Sequence, residues 1–266
     1  MLTLYHNGAS TCSQKVRVVL AEKGLEFESH SVDLIKGEQH DPEYVKLNPN
    51  HVVPTLIHDG CALIESSLIN EYLDEAFPDP PLRPESAQDR HALRLWTKRV
   101  DDKIQPAAGI VTFAIGPRVI LQQQPDEVRE ANLAAIPDPA RRAARRSVIE
   151  HGVQAPEFAG ALGRFLDLLD EMEAALSKAE WLSGGSYGLG DIVALPYLVR
   201  LDQLAMAPLL SVEVRPRVAD WFERVKARSS FETAVRAWVP EMVDNLFRTQ
   251  GEAVWPEVAA LVEARS

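Results

Sequence analysis

The sequence predicts two structural units, a small mixed α/β domain followed by an all-helical one. Three observations carry this reading. Strand-like and helix-like stretches alternate through the first 77 residues, a proline-rich break follows at Pro78-Asp-Pro-Pro-Leu-Arg-Pro84, and nearly everything beyond has helical spacing. The division falls at 1–79 for the α/β unit, 80–86 for the linker and 87–266 for the helices. A chain of 266 residues is comfortable for two domains, on a prior of roughly 100–200 residues each.

Leu2–His6 reads as a short buried strand. In Cys12–Lys23, Val16, Val19 and Leu20 share one helical face and Gly24 supplies the stop. Leu25 and Phe27 alternate with Glu26 and Glu28, which predicts a second strand within Leu25–Val32. Asp41–Leu47 is a short helix ended by Asn48-Pro49, because the residue before proline avoids helical backbone. Val53–Ile57 is an apolar strand, and Asp59-Gly60 is a two-residue hairpin signal leading into Cys61–Ile64. Ser66 or Ser67 caps a helix running to Phe77. The order β-α-β-α-β-β-α implies a mixed sheet rather than a doubly wound one. Past the linker, helical spacing covers Asp89–Ile104, Pro156–Lys178, Leu189–Leu204, Val214–Ala227 and Val239–Phe247. The stretch Pro125–Gly152, with Ile136-Pro-Asp-Pro139 inside it, reads as an irregular excursion holding one helix. Its arginines, Arg141, Arg142, Arg145 and Arg146, suggest an anion patch, but in so acidic a chain the run reads first as a solvated helix face.

The charge balance, 28 Lys+Arg against 39 Asp+Glu for a net −11, argues against nucleic-acid or anionic-membrane partners, whose phosphates it would repel. Two cysteines cannot build a disulfide framework, so a reducing, cytoplasmic setting is expected. The opening Met1-Leu-Thr-Leu-Tyr-His-Asn has no basic n-region, which predicts no signal peptide, and no apolar run approaches membrane-spanning length. The cysteines lie far apart and the histidines show no HExxH spacing, so no metal site is expected. Gly-rich phosphate loops and a Gly-x-Ser-x-Gly elbow are absent.

Chemistry concentrates at the turn after the first strand, Ser10-Thr11-Cys12-Ser13. Small hydroxyl and thiol residues there enter a helix whose N-terminal N–H groups favour an anion such as a thiolate, to which one hydroxyl can donate. The plainer alternative is that Ser10 or Thr11 simply caps the helix. Val53-Pro54 leaves a backbone group unpaired at a strand start, since proline has no N–H. Glu65-Ser66 sets an acid and a hydroxyl at a second helix N-terminus, suited to the ammonium and carboxylate of an amino-acid-like ligand or to capping alone.

Taken together, Ser-Thr-Cys-Ser-x-x-Val-Arg after a strand, Asn48-Pro49, Val53-Pro54-Thr55-Leu56, Glu65-Ser66 and an all-helical second half resemble the glutathione S-transferases over nearly the whole chain. The resemblance implies a thioredoxin-like first domain that binds glutathione, a helical domain that holds a hydrophobic electrophile, a cis peptide bond before Pro54 and a homodimer. It implies that the Val53 backbone pairs with the cysteinyl residue of glutathione. Glu65 and Ser66 would hold its γ-glutamyl end, and Gln39, His40 and His51 its glycyl end. The turn is similar to the Ser-Ser-Cys motif of zeta-class enzymes and to the Ser-x-Cys-Ser turn of tetrachlorohydroquinone reductive dehalogenases, in which the cysteine resolves a glutathione adduct. Alignment on Arg17 instead sets Ser13 over the theta-class serine. Leu25-Glu-Phe-Glu28, Trp96-Thr-Lys-Arg-Val-Asp101 and the segment from Ile136 to Arg146 resemble the fungal-type β-etherases, a group with asparagine in place of Cys12. The expected activity is transfer of glutathione thiolate to an apolar, aromatic electrophile, a β-aryl ether among the candidates. Ser10 is the first candidate for thiolate donor, with Thr11 and Ser13 as alternates, and Cys12 is a bystander or a second-step nucleophile. Trp96, Ile110 and Phe113 are candidates for the electrophile wall. The other readings are a thiol-exchange enzyme acting through Cys12 and a non-catalytic ligand binder. Where many members open a core helix with Ser/Thr-x-x-Asp, this chain has Gly188-Leu-Gly-Asp191.

Overall fold

Strands β1 (Leu2–His6), β2 (Glu28–Ser31), β3 (Thr55–His58) and β4 (Cys61–Leu63) form one mixed sheet in the order β2-β1-β3-β4. The structure, a computed structural model, describes residues 1–265. β1 pairs in parallel with β2, Leu4 opposite Ser29, and antiparallel with β3, Leu4 opposite Leu56. The Asp59-Gly60 turn closes the β3–β4 hairpin. Helices α1 (Thr11–Glu22), α2 (Pro42–Leu47) and α3 (Ser66–Ala76) complete the expected order. β2 is shorter than expected. Its residues Glu28-Ser-His-Ser31 are largely exposed, as on a sheet edge, while Leu25 and Phe27 reach the core from the preceding loop.

In the helical part, α4 (Ala87–Arg99) is capped by Ser86, whose Oγ accepts the Asp89 N–H at 3.0 Å. It runs through a π-helical turn, Val100–Ile104, directly into α5 (Gln105–Ile115), a helix the sequence reading stops short of. Pro106 is accommodated within this continuous run by the widened turn just ahead of it, in which the Gln105 N–H reaches back five residues to the Val100 carbonyl. Next come α6 (Arg118–Gln123), α7 (Asp126–Ala134) and α8 (Pro139–His151), so the excursion expected to hold one helix holds two. Asp138 stops and restarts the chain there, its carboxylate accepting from the Ala140 and Arg141 N–H groups ahead of Pro139. The remaining helices are α9 (Pro156–Leu176), α10 (Leu189–Gln203), α11 (Pro216–Lys226), α12 (Ser229–Ala234) and α13 (Glu241–Glu263), the last extending well beyond the expected end at Phe247.

A single apolar cluster joins the two parts, from Leu4, Val19 and Leu56 in the α/β part to Phe158, Phe165, Tyr197 and Trp221 in the helices. At the start of α10, the Asp191 carboxylate is fully buried and accepts from Leu182, Ser183 and Gly188 N–H groups and from the Trp221 indole at 2.7 Å. Glycine replaces the usual hydroxyl residue at 188 for a steric reason: a Cβ there would lie 2.3 Å from the Leu82 carbonyl, which accepts the Leu189 N–H at 2.7 Å. Among the described residues, no helix is long and apolar enough to cross a membrane, and no cluster of three or more His, Cys, Asp or Glu is arranged for a metal.

Candidate active site

Two buried arginines hold the turn after β1. Arg17 on α1 donates to the carbonyls of Asn7 at 3.1 Å and Gly8 at 2.9 Å, and on its other side to Ala234 at 2.8 Å. Arg200 on α10 donates to the next carbonyl, Ala9, and also to Thr112 Oγ1 on α5 at 3.1 Å. Three consecutive carbonyls are thereby drawn toward the core. Gly8 permits this closeness, since a Cβ there would lie 2.0 Å from the Trp238 carbonyl. Burial pushes the Arg17 guanidinium down to about 9 and that of Arg200 to about 10, so both stay charged at neutral pH. Arg17 also meets His6 Nδ1 at 3.0 Å. With Nδ1 accepting, the His6 proton sits on Nε2 and points to Ser29 Oγ, 2.8 Å away. Burial, with the Arg17 charge, pushes His6 down to about 4.

The four turn residues have separate environments. Ser10 is the N-cap of α1, its Oγ accepting the Ser13 N–H at 3.2 Å. Ser10 therefore caps the helix, and capping leaves its hydroxyl proton without an acceptor among the described residues. Thr11 opens the helix and is half-buried. Cys12 is a free, half-buried thiol within electrostatic reach of Arg141, Lys15 and Tyr197. Ser13 is different: it is fully buried and its Oγ accepts the Asn7 N–H at 3.3 Å, so the hydroxyl expected as an alternate thiolate donor is turned into the core. Beneath the turn, Lys15 Nζ lies 2.9 Å from Asp101 Oδ1, which also accepts from Ser67 Oγ at 2.9 Å. Burial works against the Lys15 charge, but Tyr197, Cys12 and Asp101 outweigh it and hold the amine above its ordinary range.

The Val53–Pro54 peptide bond is cis, as the resemblance implies. Val53 itself is buried, and its N–H and C=O have no partner among the described residues. The preceding carbonyl, Val52, is held by Tyr44 Oη at 2.6 Å and Asn48 Nδ2 at 2.9 Å. Glu65 has φ 68°, in the left-handed region, which exposes its carboxylate beside Asn50 Nδ2 at 3.0 Å. Ser66 and Ser67 lie inside α3 rather than capping it, since Glu65 is the N-cap position and no side chain caps there. Among the described residues the Ser66 hydroxyl has no partner and the first helix N–H groups are open. Gln39, His40 and His51 come together: Gln39 Nε2 lies 3.0 Å from His40 Nε2, and His40 Nδ1 lies 3.0 Å from His51 Nδ1. Burial, then the nearby His51 and Arg141, lowers the His40 pKa.

These three residues line a cleft together with the apolar side chains of Phe113, Leu133, Ile136 and Ile149. Of the candidate electrophile residues only Phe113 lines it. Trp96 is turned away, its indole N–H donating to the Gly190 carbonyl at 3.0 Å within the helical core, and Ile110 packs one turn before Phe113 without reaching the cleft. The arginine run also divides. Arg146 pairs with Glu130 at 2.5 Å and Arg142 donates to the Ile136 carbonyl at 2.7 Å, but Arg141 and Arg145 face the cleft instead of solvent alone. Sequence reasoning missed Lys15 and Arg200, and it ranked an anion patch at Arg141 and Arg145 behind a solvated helix face. For Arg17 a signal existed: a charge inside Val16-Arg-Val-Val-Leu20, an otherwise apolar run.

The glutathione S-transferase N-terminal domain family matches residues 1–75, and a glutathione S-transferase C-terminal domain family matches residues 140–224. Protein LigF of Sphingobium sp. strain SYK-6 is 31% identical over 262 residues, spanning 95% of this chain and 99% of LigF. The crystal structure of that protein, described as a β-etherase, superposes with a TM-score of 0.81 over 89% of this chain and 99% of its own. The tetrachloro-p-hydroquinone reductive dehalogenase of Sphingobium chlorophenolicum is 28% identical over 88% of this chain and 95% of its length. Glutathione transferase F7 of Populus trichocarpa is 26% identical, with a TM-score of 0.70 over 90% and 100% of the two chains. Matched from end to end in sequence and in architecture, the chain belongs to the glutathione S-transferase family.

Proposed function

We propose that the chain joins the glutathione thiolate to an apolar aromatic electrophile, with Ser10 as the thiolate donor. One observation carries the assignment within the turn: the Ser10 Oγ already accepts the Ser13 N–H, so its single proton is free to point out of the helix end. The Thr11 and Cys12 N–H groups open in the same first turn of α1 and favour an anion beside it. Val53 offers the N–H and C=O that an extended peptide needs, and Pro54 keeps that backbone turned outward. Glu65 and Ser66 supply the partners of the γ-glutamyl ammonium and carboxylate, and Gln39, His40 and His51 those of the glycyl end. The division into 1–79, 80–86 and 87–266 assigns glutathione to the first unit and the electrophile to the second.

In the reaction, the sulfur attacks an electrophilic carbon and forms a C–S bond while the leaving group departs with its bonding pair. For an aryl ether the leaving group is a phenolate, which takes its proton from water. The similarity to a β-etherase supports an ether of this kind among the acceptors. Two free cysteines fit a reducing, cytoplasmic setting.

Replacing Ser10 by alanine tests the assignment. Loss of a charge-assisted hydrogen bond of about 1.5–3 kcal/mol raises the pKa of bound glutathione by roughly one to two units. Thiolate absorbance against pH reports that shift, and conjugation near neutral pH falls and partly recovers in alkali. Cys12→Ser leaves conjugation intact. An unchanged thiolate pKa in Ser10→Ala moves the role to Thr11. Abolished turnover in Cys12→Ser, with a glutathione–substrate adduct accumulating, assigns thiol exchange instead.

A further inference from the structure

Nearly every arginine withdrawn from solvent in this chain meets an oxygen. Arg99, Arg146, Arg215 and Arg228 have carboxylates; Arg17, Arg142 and Arg200 have carbonyls. Arg145 is the exception: among the described residues it is the one half-buried arginine that has neither a hydrogen-bond acceptor nor an ion pair. Its guanidinium lies over the Phe113 ring, 3.1 Å from the centroid, and borders the cleft. One helical turn earlier on the same face of α8, Arg141 borders the cleft too, also without an acceptor.

Two like charges side by side in a partly dry cleft repel each other, and among the described residues neither guanidinium is paired with a carboxylate; Asp138 favours the Arg141 charge electrostatically without an ion pair to it. Burial, with the Arg141 charge beside it, pushes Arg145 down to about 9, which still leaves both cations charged at neutral pH. Such a pair is stabilised when an anion lies between the two guanidiniums, each offering a planar fork that matches a carboxylate. The remaining walls state what else the occupant is. Phe113, Leu133, Ile136 and Ile149 are apolar and suit an aromatic frame, and the polar Gln39–His40–His51 group lines the same cleft, with His40 within electrostatic reach of Arg141. The cleft is also tied to the reactive turn. Arg200 bridges Thr112, the neighbour of Phe113, to the Ala9 carbonyl, and Arg141 is electrostatically coupled to Cys12.

We propose that Arg141 and Arg145 make the cleft beside Phe113 a receptor for an acidic group on the acceptor, so that the electrophile is an aromatic compound bearing a carboxylate. This rests on the glutathione reading above and specifies its second substrate. The glycyl carboxylate of glutathione has the same chemistry, and the test separates the two sources.

The test is calorimetric binding of two unreactive thioethers, S-benzylglutathione and S-(4-carboxybenzyl)glutathione, together with glutathione and γ-glutamylcysteine. The wild-type protein binds the carboxybenzyl thioether about tenfold more tightly than the benzyl one. That ratio falls toward one in Arg145→Gln and in Arg141→Gln and is partly restored in Arg145→Lys, while the affinity for glutathione is unchanged. Equal affinity of the wild type for both thioethers overturns the proposal. So does a loss of glutathione affinity in the arginine variants that γ-glutamylcysteine does not share, since it assigns the pair to the glycyl carboxylate. Absence of binding by glutathione and both thioethers overturns the glutathione reading and the proposal with it. Arg141 is on the exposed side of the cleft, so Arg141→Gln keeps the test available should Arg145→Gln fold poorly.

Discussion

Glu65 combines a backbone that L-residues rarely adopt with a carboxylate left half free. At φ 68° it strains the chain by about 1–3 kcal/mol, and the helix that follows would start as readily from an ordinary capping residue. What the strain achieves is position: the carboxylate is carried out beside Asn50 and next to the open N-terminus of α3. In the proposed complex it meets the γ-glutamyl ammonium. Glu65→Ala is therefore expected to weaken glutathione binding by about 1.5–3 kcal/mol, roughly tenfold to a hundredfold in Kd, by calorimetry. An equal Kd in the variant would take Glu65 out of the site. At the same scale, Ser10 and Ser13 differ by three positions but also in environment: Ser10 caps α1 from outside the helix, whereas Ser13 is buried within its first turn.

At the scale of elements, β1 and α1 are locked by a buried His6–Arg17 contact, which makes the reactive turn sensitive to acid. His6 titrates near 4 when folded and near 6.5 when unfolded. Between those values the unfolded chain binds a proton that the folded chain refuses. The stabilisation is thus complete above about pH 6.5 and is lost as the pH falls toward 4, by about 3 kcal/mol in all at about 1.4 kcal/mol per unit. Glu22, held low by Arg228 and Ser230 against the effect of its own burial, adds a loss of the same sign. The comparison with His6→Gln isolates the histidine: urea unfolding at pH 7, 5.5 and 4.5 should give a shallower acid decline in the variant. Parallel declines would exclude His6. The long α4–π–α5 run has a different consequence, since it carries Asp101 to Lys15 and Thr112 to Arg200 from one continuous path.

For the whole molecule, the exposed side chains Leu68 on α3 (63%) and Leu95 on α4 (58%) lie on neighbouring helices joined by the Arg94–Glu71 pair at 2.9 Å. Apolar groups this exposed beside an ion pair suit an isologous contact, in which a patch meets its own copy across a two-fold axis. Sedimentation equilibrium at micromolar concentration is expected to report twice the chain mass, and Leu68→Glu to shift it toward the monomer. A wild-type monomer under those conditions would reject the homodimer.

The sequence by itself determined the order of elements in the first 77 residues, the hairpin at Asp59-Gly60, the proline-rich break and the residues at the open helix ends, because these depend on local backbone chemistry. Periodicity, glycine and proline positions and capping side chains act within a few residues of themselves. It did not determine how far helices run: helical spacing is legible only to Ile104, whereas the chain continues through Pro106 by way of the widened turn before it. Nor did it determine which face of a helix meets what. Arg141, Arg142, Arg145 and Arg146 share one run, and their spacing assigns them to two faces without saying which is wet. The packing of α8 against its neighbours decided that, sending Arg146 to Glu130 and Arg145 to Phe113. Trp96 had an aromatic pattern as good as that of Phe113, yet only the tertiary structure turned one into the core and the other into the cleft. The pinning of the turn by Arg200, across 191 positions in sequence, was decided by the fold alone, since local periodicity has no means of pairing groups so far apart.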